Sequence, residues 1–138
     1  MRLWHKDLIE VLPRQQLLGQ WRECCLIAKN ISELGTPNHI LVNKIMDYPL
    51  IEFQWYGCYV CQEMTRRGYK CDWMKFQKYF HATTMEITKD KLFKNWHNDK
   101  YLTQCYFNLQ EKYDCGGVTE EEWAKIAQKY NLRYTKKV

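Results

Sequence analysis

The sequence predicts an all-α fold, and three observations carry that prediction. Apolar residues recur at 3-and-4 spacing in several segments of helical length, and no segment alternates apolar and polar residues over a sustained run. Helix punctuation also falls where such segments need it, with prolines and capping residues before them and glycines after. At 138 residues, 46% hydrophobic and 15% aromatic, the chain reads as one domain, 1–138, long enough to bury a core of its own. The expected architecture is two or three long helices with shorter ones between them.

Residues 1–12 interleave Leu3, Trp4, Leu8, Ile9 and Leu12 with Arg2, His5, Lys6 and Asp7, a short apolar arm or helical turn that can fold the amino terminus back onto the domain. Pro13 suits the first turn of a helix, where its missing N–H leaves no bond unmade, and Gly35 suits its end. Between them, Leu17, Trp21, Cys24, Ala28 and Ile31 form an apolar face. Gln16, Gly19, Gln20 and Glu23 form a second, polar stripe with a gap at Gly19. A glycine inside a helix costs roughly 1 kcal/mol relative to alanine, so either a ligand or backbone approaches closely there or the glycine is incidental to a surface helix.

Gly35-Thr-Pro-Asn-His39 reads as a loop, and residues 40–46 are open between strand and helix. A second helix opens around Pro49 and ends at Gly68 after Arg66-Arg67, with Phe53, Tyr56, Val60 and Met64 as its core stripe. Asp72 is placed to cap a short helix through Phe80, and Thr88 another through about Trp96. Asn98 or Asp99 caps a helix bearing Leu102, Cys105, Tyr106, Leu109 and Tyr113 that stops at Gly116-Gly117. Thr119-Glu-Glu-Glu122 is a capping box that starts a last helix to about Tyr130, followed by a basic tail from Arg133 to Val138.

The net charge of +5 permits a polyanionic partner without demanding one. Seven cysteines with no secretory segment before them read as reduced thiols in the cytoplasm, and no apolar run approaches the ~20 residues that cross a bilayer. No metal site is expected: Cys58 and Cys61 form C-x-x-C in mid-helix without a second pair, and Cys24 and Cys25 point about 100° apart. His5, His39, His81 and His97 stand singly, and no phosphate-binding glycine loop, nucleophile elbow or paired-carboxylate motif occurs. What remains is Arg22-Glu23. Arg14, Leu18 and Arg22 share one flank of the first long helix over roughly 12 Å, a spacing at which two guanidinium groups each meet a phosphate and Glu23 faces what they hold. The bland alternative is a solvated charged face.

Met1-Arg-Leu-Trp4, Leu17-Leu-Gly-Gln-Trp-Arg-Glu23, Asn38-His39 and Arg67-Gly68-Tyr69 together resemble the pyrimidine dimer DNA glycosylase (endonuclease V-like) family, over about residues 1 to 72. The resemblance implies an all-α enzyme that needs no metal or other cofactor. Such an enzyme acts on double-stranded DNA carrying a lesion or abasic site, first removing the damaged base and then cleaving the strand by β-elimination. It implies that the nucleophile is the chain's own α-amine and that Glu23 handles protons. An α-amine titrates near 7.7 to 8.0 against ~10.4 for lysine, so on the order of a tenth of it is nucleophilic at pH 7. Arg2 would block removal of the initiator residue, which leaves the amine on Met1. Arg2, Gln15 and Arg22 match family positions that hold kinked DNA backbone or the displaced nucleotide. Arg14 and Gln16 complete the candidate substrate-binding set. Gln16 stands where the family prototype has histidine, and Leu26 where it has arginine. The expectation is a monomer, nucleoid-associated when acting, with no membrane partner. A non-catalytic nucleic-acid-binding module using Arg2, Arg14, Arg22, Arg66, Arg67 and the tail is the competing reading.

Overall fold

The computed structural model describes residues 1–83 and 85–135, with side chains through residue 132, and these residues form helices and no strand. Helix α1, Arg14–Leu34, follows Pro13 directly and ends at Gly35, whose left-handed φ of 75° lets its N–H return to the Ile31 carbonyl at 2.9 Å. Its buried face, Leu17, Trp21, Cys24, Ile27 and Ala28, packs on α2, Leu50–Arg66, through the predicted stripe of Phe53, Tyr56, Val60 and Met64. Gly57 lies in the middle of that stripe for a steric reason. A Cβ there would sit 2.4 Å from Cζ of Phe76, the buried residue of the short helix α3, Met74–Gln77.

Helices α4, Asp99–Asp114, and α5, Glu120–Thr135, pack on each other. Asn98 accepts from the Tyr101 N–H at 2.9 Å. Thr119 and Glu122 exchange the two bonds of a capping box at 3.0 and 3.1 Å, as the sequence predicts. The other oxygen of Glu122 accepts from the Arg14 N–H at 2.8 Å, so one carboxylate caps the starts of both α5 and α1. Burial alone would push that carboxyl up, but these hydrogen bonds outweigh it and hold it below the usual range. Helix α5 also covers the 3-10 turn Lys6–Val11, beneath which Leu8 and Ile9 are fully buried.

The predicted helix from Thr88 to Trp96 does not form. Only a 3-10 turn, Lys89–Lys91, is present, and Phe93 and Asn95 take positive φ values of 52° and 71°. Tertiary partners replace the helical ladder here. Lys6 Nζ donates to the carbonyls of Asp90 (2.9 Å) and Leu92 (2.6 Å), and the Phe93 N–H donates to Glu52 (2.7 Å). That turns Phe93 inward onto Tyr56, Trp96 and His97. The short helix near residue 72 is shorter than expected, and its N-cap is Trp73 rather than Asp72. The open segment 40–46 resolves into a turn leading to a 3-10 helix, Asn43–Asp47. The last helix runs past Tyr130 to Thr135, and the basic tail expected beyond it lies outside the described side chains.

All seven cysteines are free, with Cys24 and Cys25 buried and Cys58 and Cys61 half-buried. No described helix is long and apolar enough to cross a membrane.

Candidate active site

Three helices hold three consecutive residues of the amino-terminal segment. Leu3 and Trp4 are buried, which brings their peptide groups into a region where each needs a partner. From α1, Gln20 Oε1 accepts the Trp4 N–H at 2.7 Å. Its Nε2 donates to the Arg2 carbonyl at 2.9 Å. From α2, the Tyr56 hydroxyl donates to the Trp4 carbonyl at 2.6 Å, with Gln20 Oε1 at 2.9 Å as second acceptor for the same proton. From α4, the Tyr101 hydroxyl donates to the Leu3 carbonyl at 2.6 Å. Termini ordinarily fray, and this one is fixed up to the residue next to Met1.

Gln20 is only 1% exposed, although the period of α1 put it on the polar stripe. Its second amide proton goes to Glu23 Oε2 at 3.3 Å, so one side-chain amide bridges the Arg2 carbonyl and the Glu23 carboxylate. The amide has one workable orientation, since its oxygen faces two donors and its nitrogen faces two acceptors. Burial pushes the Tyr56 phenol well up, which keeps it a proton donor at any ordinary pH.

Glu23 and Met1 are both half-buried, and Arg22 beside Glu23 is exposed. At Gly19 an added Cβ would meet only the Arg22 guanidinium, at 3.8 Å. A side chain at position 19 would therefore meet no other part of the fold. Arg2 is half-buried, with its guanidinium 5.5 Å above the Trp4 ring and beside Tyr101 and Cys105, where burial pushes both groups up and the Arg2 charge partly offsets it.

The other candidates lie elsewhere or make different contacts. Arg14 is exposed, 5.7 Å over the Tyr69 ring, in a depression of about 620 Å³ shared with Arg66, Arg67, Glu122 and Lys125 toward α5. Gln15 is exposed, and Gln16 has its Oε1 buried without a hydrogen-bond partner. Arg67 is structural: it donates to Glu63 and to the carbonyls of Leu12 (2.8 Å) and Glu10 (3.1 Å). His39 holds its own loop by accepting the Leu41 N–H at 3.2 Å. Among the described residues, no three His, Cys, Asp or Glu side chains are grouped so as to hold a metal ion.

Sequence reasoning missed Gln20, Tyr56 and Tyr101. The one signal for Gln20 was a polar residue at the border of the apolar face, one turn before Glu23. Tyr56 read simply as core, because helical periodicity does not register a hydroxyl.

A family model described as pyrimidine dimer DNA glycosylase matches residues 1–77, more than half of the chain. No curated protein and no solved structure matches.

Proposed function

The chain belongs to the pyrimidine dimer DNA glycosylase family, and from that premise we propose that it is a bifunctional glycosylase and AP lyase whose nucleophile is the α-amine of Met1. The nitrogen lone pair attacks C1′ of the damaged nucleotide, and the C1′–N bond breaks, its electrons leaving with the base. The Glu23 carboxylate takes the proton that the amine gives up on attack and passes it to the ring oxygen as the C1′–O bond breaks and the sugar opens to a protonated imine. The resulting carboxylate takes a proton from C2′, the 3′ phosphate leaves by β-elimination, and water releases the chain from the imine. Arg22 and Arg2 neutralise backbone phosphates beside the extruded nucleotide, and the gap at Gly19 admits its sugar. Arg14, Gln15 and Gln16 contact the same strand farther along α1. The protein acts as a monomer, in the cytoplasm, on double-stranded DNA.

The observation that supports this reading best is the Gln20 amide, which ties the backbone next to Met1 to the Glu23 carboxylate while Tyr56 and Tyr101 pin the residues that follow.

The test is strand cleavage on duplexes carrying a cyclobutane dimer or an abasic site, using protein with a native amino terminus. Glu23→Gln should lower cleavage at the abasic site by about 100-fold or more, in line with the usual contribution of a positioned proton-transfer group. Salt-dependent binding with no cleavage of either substrate by the unmodified protein would instead leave the non-catalytic binding module.

A further inference from the structure

Beyond the reacting centre, the turn at residues 38–43 presents two apolar side chains to solvent, with Ile40 84% and Leu41 49% exposed. The turn carrying them is braced from below. The His39 carbonyl accepts from the N–H groups of Val42 (3.0 Å) and Asn43 (2.9 Å), and Asn43 Oδ1 accepts from the His39 N–H (3.0 Å). Asn38 supplies the left-handed residue, with φ of 60°, that lets the chain reverse. Val42 and Ile45 are fully buried and anchor the far side. A scattered exposed leucine needs no explanation, but two adjacent aliphatic tips on a pre-formed turn present a rigid apolar edge without an ordering cost on binding.

That edge borders a cleft of about 320 Å³ whose walls are Ile40, Leu41 and Lys44 on one side and Trp96, Lys100 and Tyr101 on the other. Both lysines are exposed, so each wall of the cleft has a cation. Tyr101 is also the residue that donates to the Leu3 carbonyl, so one wall of the cleft touches the amino-terminal segment. An apolar edge with one cation beside it and another across the cleft fits one occupant well, a base step with its flanking phosphates. Aliphatic side chains wedge between stacked bases and kink the duplex, while lysines take the backbone on either side.

We propose that Ile40 and Leu41 form a wedge that enters the base stack beside the lesion and stabilises the kinked duplex. This rests on the glycosylase reading above. The wedge does its work by unstacking paired bases, so a substrate already unstacked at that step has little need of it.

The experiment compares wild-type protein with Ile40→Ala/Leu41→Ala on two abasic duplexes, one fully paired and one mismatched at the pair next to the lesion, with borohydride trapping as the readout. The variant should trap the paired duplex about 10-fold to 100-fold more slowly, and the mismatched duplex within about 3-fold of wild type, because unstacking is least costly where pairing is already lost. Both substitutions are at exposed positions, and an unchanged thermal midpoint confirms that the variant is folded. A fluorescent base analogue at the flanking position should brighten on binding wild type and stay dark with the variant. Equal loss on both duplexes overturns the wedge, since it assigns these residues to general binding. No loss on either also overturns it, and leaves the apolar edge to another partner such as a protein. A wild type that traps neither duplex overturns the glycosylase reading itself, whereas a wild type that traps with a variant that matches it overturns the wedge alone.

Discussion

Replacing Gln20 with leucine removes four hydrogen-bond contacts while nearly preserving side-chain volume, so the consequences are those of lost polar contacts rather than of a cavity. The Trp4 N–H loses its acceptor inside the core, and an orphaned buried donor costs about 1 to 3 kcal/mol. The Tyr56 hydroxyl keeps the Trp4 carbonyl as acceptor, and the Arg2 carbonyl and Glu23 are close enough to solvent to be rehydrated, so they add little. For a chain of this length the loss corresponds to a fall in thermal midpoint of roughly 3 to 12 °C. The effect on chemistry should be larger. With the bridge gone, Tyr56 and Tyr101 still hold the Trp4 and Leu3 carbonyls, but no side chain links the Arg2 peptide to Glu23, and a misplacement of about 1 Å in reacting groups costs on the order of 100-fold. Borohydride trapping on an abasic duplex, well below the melting transition, measures that rate directly. Tyr56→Phe is the control: it also loses a buried hydrogen bond but leaves Gln20 holding residues 2 and 4, so its stability should fall similarly while its trapping rate falls much less. A folded Gln20→Leu protein that traps at the wild-type rate would refute the role assigned to the bridge.

Two further outcomes follow from the core. Gly57→Ala should lose about 1 to 3 kcal/mol of stability by overpacking, read from urea unfolding, because its new methyl would sit 2.4 Å from the Phe76 ring; an unchanged midpoint would mean that α3 moves aside freely. Stability should also fall as the pH drops from 6.5 toward 5. Burial, with His5 and Lys6 beside it, pushes the His97 imidazole well below its usual range, and burial lowers His5 against the opposing pull of Asp7. In that window the unfolded chain binds a proton at position 97 and the native chain does not, so His97 contributes a slope of up to about 1.4 kcal/mol per pH unit, and the lowered His5 adds to it with the same sign. Glu10, Glu63 and Glu122 are held below the usual carboxylate range, so what they contribute is lost only at lower pH. Urea midpoints that do not change between pH 6.5 and 5 would contradict a neutral native His97.

Local chemistry made most of the helices legible. Pro13 and Gly35 bracket α1, Thr119 and Glu122 cap α5 as a reciprocal pair, and the stripe from Phe53 to Met64 faces the core. The segment after Thr88 was not legible, because what opposes a helix there is the ammonium of Lys6 and the carboxylate of Glu52, both more than forty residues away in the chain. At the candidate site the acid and the terminus could be named from the sequence, but the parts between them could not. Periodicity sorts residues by polarity, so it placed Gln20 outside and Tyr56 inside without showing that the two meet on the Trp4 peptide.

In the proposed mechanism chemistry begins at the α-amine of Met1. Its most direct test is to trap the protein on an abasic duplex with borohydride, digest the adduct and locate the attached sugar by mass spectrometry. The adduct should be a secondary amine on the Met1 nitrogen, and none should form after selective acetylation of that amine. An adduct on a lysine such as Lys44 or Lys100, or undiminished trapping by the acetylated protein, would contradict it.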